Sequence, residues 1–114
     1  MNTVTIEVSS LDKTKQRLLS AFEHETKGAY ITFPTLEALW KALTPKRWDI
    51  IKEMTGAGPL GIRELSRRIG RDVRAVHSDV QVLLSCGILE KTSEGKIEFP
   101  YDAVHVDFMV TKAA

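Results

Sequence analysis

Hydrophobic and polar residues alternate at both ends of the chain. In residues 3–8 every second side chain is apolar, and this period of two predicts a half-buried strand. The same period recurs over residues 104–110 and predicts a long C-terminal strand. A short apolar run, Tyr30–Phe33, is stopped by Pro34 and predicts a further strand.

Helical periods occupy the chain between these strands. Ser9 and Asp12 have the spacing of a capping box and predict a helix that ends near Gly28. A second helix is predicted after Thr35, because apolar residues follow with the period of one helical face. They are Leu36, Leu39, Trp40 and Leu43. Pro45 suits the first position of a third helix, since its missing N–H costs nothing there. The buried stripe of this helix is Trp48, Ile51 and Met54, with Ile50 beside them.

Two further helices are predicted on either side of a very short turn. The first contains Ile62, Leu65 and Ile69 and ends at Gly70, a residue favoured just after helices. Asp72 is placed to cap the second, whose N–H groups need an acceptor. The predicted core face of the second helix consists of Val73, Val76, Val80, Leu83 and Leu84.

A charged hairpin follows these helices. Ile88–Lys91 and Lys96–Phe99 predict short strands, and Thr92–Gly95 predicts the turn between them. Two helices joined by a tight turn and followed by a hairpin are the parts of a helix-turn-helix with a β-wing. We therefore predict an α+β fold, a winged helix-turn-helix with an N-terminal strand-helix-strand extension and a C-terminal strand. The predicted divisions are residues 1–34, 35–100 and 101–114.

Length and composition exclude several classes of protein. With 114 residues the chain is long enough for one domain with extensions. No apolar run reaches the roughly 18–20 residues that span a bilayer, and no signal-peptide pattern opens the chain. A single cysteine excludes an internal disulfide and is compatible with a cytoplasmic location.

The net charge of +1 conceals a basic segment. Between Arg63 and Arg74 there are five arginines and two acids, whereas the rest of the chain is slightly acidic. A basic patch on a nearly neutral body suggests a polyanionic partner, although a solvated helix surface explains the same charges.

The predicted second helix of the pair carries the candidate base-reading residues. Its outward face opposes the core face, and in helix-turn-helix docking the N-terminal part of this helix reaches base edges. Arg74 is the first candidate, because a guanidinium grips guanine O6 and N7 together. Ser78 and Gln81 are further candidates, and Arg71 suits a base or a phosphate. The alternative for all four is ordinary solvated surface.

The candidate phosphate contacts surround that face. Arg63, Arg67 and Arg68 lie off the apolar stripe of the preceding helix, where they would bind the DNA backbone without reading sequence. Lys91 and Lys96 flank the hairpin turn, where they serve equally well as charged gatekeepers of an exposed edge. His77 is a weaker candidate for a phosphate contact, with a packing or surface role as its alternative.

No catalytic or metal-binding pattern is present. His24, His77 and His105 fall in separate predicted elements, away from Cys86 and without metal-ligand spacing. Cys86 is interpreted as a small buried hydrophobic residue rather than a redox sensor. Trp40 and Trp48 are interpreted as core. We therefore expect no enzyme activity, cofactor or metal.

Several short motifs resemble MarR-like winged-helix regulators and small prokaryotic proteins described as DNA-binding. They are Leu43–Ile51 (LTPKRWDII), Ile62–Gly70 (IRELSRRIG), Val76–Val80 (VHSDV) and Leu83–Leu89. The resemblance extends over about Thr35 to Phe99 and implies a prokaryotic transcription regulator whose helix after Asp72 enters the major groove. Ser78 stands where the pattern often has a basic residue, so the resemblance implies no base preference.

The lead hypothesis is a sequence-specific DNA-binding regulator that acts as a homodimer, with repression by promoter occlusion. The strands at the two ends are expected to join one sheet, which either contributes to the dimer or completes the core of a monomer. Because some relatives resemble antitoxins of TumE-like toxin pairs, the alternative is an antitoxin that binds a toxin protein and regulates its own operon. RNA or another protein as the only partner is a third hypothesis.

Overall fold

The computed structural model describes residues 2–8 and 29–110 of the chain. Within these residues it is a small α+β fold, in agreement with the coarse prediction. Its elements are β1 (Thr3–Val8), β2 (Ala29–Phe33), α1 (Leu36–Ala42), α2 (Pro45–Met54), α3 (Ile62–Ile69), α4 (Val73–Ser85), β3 (Glu90–Lys91), β4 (Ile97–Glu98) and β5 (Ala103–Asp107). The helix predicted between Ser9 and Gly28 lies outside the described residues.

A parallel sheet brings the first and last strands together. Its order is β2–β1–β5, so that β1 is the central strand. Ile6 pairs with Ile31 on one side and with Val106 on the other, which aligns the apolar residues of the three strands on one face. The prediction that the two end strands share a sheet is confirmed. The C-terminal strand is shorter than predicted: its pairing with β1 ends at Glu7 and Asp107.

The helix boundaries follow local capping chemistry. The hydroxyl of Thr35 accepts a hydrogen bond from the N–H of Ala38 at 3.1 Å, and Asp72 caps α4 through the N–H of Arg74 at 3.1 Å. Pro45 occupies the first turn of α2 after its cap, Thr44. These side chains satisfy N–H groups that a helix start otherwise leaves unpaired. The predicted starts of these three helices are therefore confirmed.

One continuous core joins the sheet to the helices. Val4 and Ile6 of β1 belong to the same buried cluster as Leu39 of α1, Ile50 of α2 and Leu65 of α3. From α4, the cluster contains Val76, Val80 and Leu83. Helices α2, α3 and α4 contact one another pairwise. The sheet and the pair of helices around Gly70 are thus parts of one packed body.

Two residues predicted to be in the core, Trp40 and Val73, are exposed. Trp40 is 51% exposed, because Leu39, Ala42 and Leu43 turn the core side of α1 away from it, and its ring meets Phe108 edge-on at 5.5 Å. Val73 is exposed at the first position of α4.

Cys86 was also predicted to be buried and is exposed. Helix α4 ends at Ser85, and the left-handed residue Gly87 reverses the chain so that the N–H of Ile88 bonds the carbonyl of Leu83. Ile88 therefore returns to the core just after the turn, whereas Cys86 lies on the solvent side of the helix end.

The hairpin strands are also shorter than predicted. Only Glu90–Lys91 and Ile97–Glu98 form a ladder, because Ile88, Leu89 and Phe99 turn into the core beneath it.

Replacing Gly70 by alanine is expected to lower the free energy of unfolding by about 1–2 kcal/mol, measured by urea denaturation. Gly70 has φ +70° and no atom near the position of an added Cβ, so the cost comes from backbone strain alone. Gly70→Asn is the matched control, since asparagine tolerates this conformation better and should lose clearly less. Equal losses for the two variants would contradict this explanation.

Candidate functional site

The turn between α3 and α4 is held by three hydrogen bonds in which Ser66 takes part, two as acceptor and one as donor. The N–H groups of Gly70 and Arg71 donate to the Ser66 carbonyl at 2.9 and 3.2 Å, and the buried Ser66 hydroxyl donates to the carbonyl of Arg71. Asp72 follows at once and caps α4. A turn of three residues, fixed at both ends, therefore sets the angle between the two helices.

Asp79 of α4 joins this turn to α2. One carboxylate oxygen, Oδ1, accepts from Nε of Arg47 at 3.0 Å, and the other, Oδ2, accepts from Nη2 of Arg71 at 2.8 Å. The three side chains are 14–20% exposed. Hydrogen bonds between a carboxylate and two guanidinium groups have a fixed geometry, so this partly buried arrangement restricts the positions of all three side chains. We call Arg47, Arg71 and Asp79 the acid clamp.

Arg47 also extends the clamp to α1. Its Nη1 donates to the carbonyls of Lys41 and Ala42, both at 3.1 Å, at the C-terminal end of that helix. A cation there satisfies carbonyls that the helix cannot pair and complements the negative end of its dipole. One arginine therefore links α1, α2 and α4.

The acid clamp lowers the pKa of Asp79. Partial burial by itself raises the pKa of this carboxyl, but the hydrogen bonds from Arg71 and Arg47 and their positive charges outweigh burial, so that the pKa lies below its ordinary value of 3.8. Asp79 is therefore ionised at neutral pH, as both arginines require.

Four of the predicted DNA-contacting residues form one exposed stripe on α4. Arg74, His77, Ser78 and Gln81 are spaced by three, four and seven positions, which is one helical face. All four are exposed, and Nε2 of Gln81 lies 3.5 Å from Nε2 of His77. Among the described residues, no ion pair involves the guanidinium of Arg74. We call these four residues the α4 stripe.

Arg71 differs from the other predicted base-reading residues in its position. Its guanidinium points into the protein toward Asp79, and its Nη1 is buried without a hydrogen-bond partner in the described part of the chain. To reach a base, Arg71 would have to leave the clamp. The geometry makes it a residue that positions α4.

The arginines of α3 are exposed beside the start of α4. Arg67 and Arg68 both pair with Glu64, and Arg68 also lies 3.9 Å from Glu53. The hydrogen bond from Arg68 and the charge of Arg67 hold the pKa of Glu64 below its ordinary value. Arg63 forms no ion pair within the described residues. Arg63 and Arg67 line a groove of about 480 Å³ together with Ser66 and Val73, so the basic side of α3 faces the N-terminus of α4.

The hairpin is anchored to the segment before α3. Leu60 and Ile97 exchange two backbone hydrogen bonds, at 2.8 and 2.9 Å, so that the segment at Leu60 lies beside β4 as a third segment of the ladder of β3 and β4. Lys91 and Lys96 are exposed on either side of the turn. The sequence analysis did not predict the Leu60 bridge, since one residue carries no strand pattern.

Metal binding finds no support among residues 2–8 and 29–110. No group of histidine, cysteine, aspartate and glutamate side chains in these ranges could hold a metal ion. No described helix has the length and apolar character needed to cross a membrane.

The acid clamp predicts how stability depends on pH. Asp79→Asn is expected to lose about 2–3 kcal/mol of unfolding free energy at pH 7, because two sheltered cations lose their anion. The folded-state pKa of Asp79 lies below its unfolded value, so its contribution is complete about one pH unit above 3.8, begins to decline as the pH approaches 3.8, and is lost as the pH falls through the folded-state pKa.

Urea denaturation of both proteins from pH 7 to pH 3 measures this contribution. The difference between wild type and Asp79→Asn should stay constant down to about pH 5 and shrink below it. Asp49→Asn, at an exposed acid of α2, is the control for a lost carboxylate. A difference that persists unchanged at pH 3 would contradict the ionic origin.

Comparison with known proteins places the chain in a family. No curated protein sequence and no solved structure matches it. The model of one protein family, HVO_A0114, matches residues 42–106, from the end of α1 into β5. The match covers the acid clamp, the α4 stripe and the hairpin, and it extends over more than half of the chain. The chain therefore belongs to the HVO_A0114 family.

Proposed function

We propose that this protein is a sequence-specific DNA-binding transcription regulator with a winged helix-turn-helix. The observation that carries the proposal is the α4 stripe on the second of two helices joined by a three-residue turn. Its N-terminal half presents an arginine, a serine and no bulky apolar side chain beyond Val73. This is the half that reaches base edges when such a helix docks.

The dimensions of α4 suit the major groove. Thirteen residues give a helix about 20 Å long and about 10–12 Å wide, and the groove is about 12 Å wide. Arg74 is the proposed main reader because its guanidinium is exposed and makes no ion pair within the described residues. Ser78 and Gln81, one and two turns further on, follow it along the groove as hydrogen-bonding residues.

The surroundings of α4 supply phosphate contacts. Arg63 and Arg67 line the groove that leads to the N-terminus of α4, where they would neutralise the backbone beside the bases. The hairpin, extended by Leu60, corresponds to the wing, and Lys91 and Lys96 are its basic residues. His77, which belongs to the α4 stripe, is a further candidate for a phosphate contact.

The acid clamp has a positioning role in this proposal. Arg71 is the residue immediately before the α4 cap, and Asp79 joins it to Arg47 of α2. An error of one ångström in the placement of Arg74 would spoil a bidentate contact to guanine. The regulator would act as a homodimer on two half-sites and repress by occluding a promoter.

Selection of binding sites from a random pool of DNA duplexes tests the proposal. Wild type is expected to enrich a sequence with two-fold symmetry that contains guanine. Arg74→Ala should lose about 1–3 kcal/mol of binding free energy, and the loss should be confined to one base position in each half-site. Lys41→Ala, which removes an exposed charge from α1, is the control and should leave the selected sequence unchanged.

Two results would overturn the proposal. One is the absence of any enriched duplex, and the other is an enriched site that Arg74→Ala binds as tightly as wild type does. Enrichment from a parallel RNA pool alone would assign the stripe to RNA.

Arg63→Ala is expected to weaken binding to every duplex alike. The loss of one phosphate contact should reduce the slope of the logarithm of affinity against the logarithm of salt concentration by about 0.9. Fluorescence anisotropy between 50 and 200 mM salt, about the range over which such slopes are seen, measures it for a selected and a random duplex. An unchanged slope would remove Arg63 from the interface.

A further inference from the structure

The edge of the parallel sheet at β5 carries an unusual amount of exposed apolar surface. In the described part of the chain β5 is paired only with β1, so its outer edge is open. Val106 and Phe108 are 37% and 38% exposed, and Met109 and Val110 are more exposed still. An open edge with apolar side chains is a site for pairing with another strand, since its N–H and C=O groups await partners.

A groove lies against the same edge, on the side of the sheet that faces the helices. It has a volume of about 450 Å³ and is lined by Trp48, Ile51 and Lys52 of α2, by Thr55 just after that helix, and by Val104 and Val106 of β5. In a sheet with a further strand beside β5, apolar side chains of that strand would cover the groove. The groove is thus an apolar surface that a neighbouring strand would complete.

The residue order of β5 suits pairing with itself. In an antiparallel pair of β5 strands centred on Val106, Val106 lies opposite Val106 of the second copy, and Val104 lies opposite Phe108 of that copy. His105 then lies opposite the second copy's Asp107, and two-fold symmetry repeats the contact. Apolar residues meet on one face, and on the other a histidine, which can donate an N–H, meets a carboxylate, a favourable arrangement for cross-strand pairs.

We propose that β5 is the homodimer interface, joined edge to edge and antiparallel with β5 of a second copy of this chain. The two sheets become one six-stranded sheet, in which β5 of each copy lies beside the groove of the other. Because Val106 faces Val106, the two-fold axis is perpendicular to the sheet. Both sets of helices therefore lie on the same side of the joined sheet.

The opposite edge of the sheet offers no such arrangement. Phe33 of β2 is buried, and α1 contacts this strand. The residues of β2, from Ala29 to Phe33, carry no charge, so that self-pairing would gain no ion pairs. The exposed apolar row and the match of His105 with Asp107 are together found at the edge of β5 and not at that of β2.

The β5 edge is the surface through which the homodimer of the proposed function would form. Only its biological role rests on that proposed function. Analytical ultracentrifugation of the full chain without DNA should give twice the monomer mass of 12.8 kDa. His105→Asp places a carboxylate opposite Asp107 in both pairs and should raise the dissociation constant of the dimer about tenfold or more. Adding Asp107→Lys should restore it. Ser93→Asp, which adds the same charge at the exposed hairpin turn, should have no effect on dimerisation.

Cross-linking tests the register. Residues directly opposite in an antiparallel pair have Cα atoms about 4.5–5.5 Å apart, within the range that a disulfide spans. Val106→Cys in a Cys86→Ser background should therefore form a covalent dimer under mild oxidation. Ser93→Cys in the same background is the control and should stay monomeric on a non-reducing gel.

The outcomes separate this inference from DNA binding. A monomeric wild type overturns the interface even if a duplex is selected. A dimer that tolerates His105→Asp and does not cross-link through Val106→Cys pairs elsewhere and also overturns it, as does a full chain that dimerises only with a different protein. A cross-linked dimer that selects no duplex supports the interface and refutes the proposed function. Circular dichroism of each variant verifies that it is folded.

Discussion

The carboxylate of Asp79 is the group on which the relative placement of the helices depends. It receives one arginine from α2 and another from the turn before α4, and the first of these arginines also binds the end of α1. Packing of apolar side chains tolerates small shifts, whereas two hydrogen bonds to one carboxylate do not. A partly buried ion pair adds little net stability compared with apolar packing, so its effect here is chiefly on geometry. The surface that α4 presents to a partner is consequently set from inside the protein.

The neighbours of each arginine decide what its charge can do. Arg47 and Arg71 neutralise Asp79, and Arg67 and Arg68 share Glu64. Within the described residues only Arg63 and Arg74 are outside such pairs. The basic segment is therefore less positive than a count of its arginines indicates, and its unpaired charges are Arg63, which lines the groove between α3 and α4, and Arg74 of the α4 stripe. An exposed pair such as that of Glu64 is also weak and can give way to a phosphate.

Features that depend on near neighbours could be predicted from the sequence, and features that depend on distant ones could not. The caps at Thr35 and Asp72 were predicted correctly because the acceptor and its N–H donors are two or three residues apart. The helices were found from their periods for the same reason. The clamp was missed because Arg47 and Asp79 are 32 residues apart. A signal was present, since Asp79 is the one acid in α4 and stands between the core residues Val76 and Val80.

The same distinction explains the errors in the predicted core. The period of α1 places Trp40 beside the apolar stripe, but only the packed structure shows that the end of β5 meets it from the solvent side. Cys86 was misplaced because the prediction followed its residue type, whereas its exposure is set by its position at the end of α4, just before the turn at Gly87. The candidate site itself was predicted residue by residue on α4, where one face is opposite the core. The acid clamp that holds α4 from inside was not predicted.

The parallel pairing of β1 with β5 affects the order in which the protein can form during its synthesis. The central strand is synthesised before β5, which follows all four described helices, so that Thr3 can pair with Ala103 only after those helices have left the ribosome. Helices α2 to α4 contact one another over short distances along the chain and can assemble earlier. Until β5 arrives, one edge of β1 is unpaired, and a chain interrupted after the hairpin keeps its helices but leaves that edge open. Such incomplete chains are candidates for aggregation and for removal by the cell's quality control.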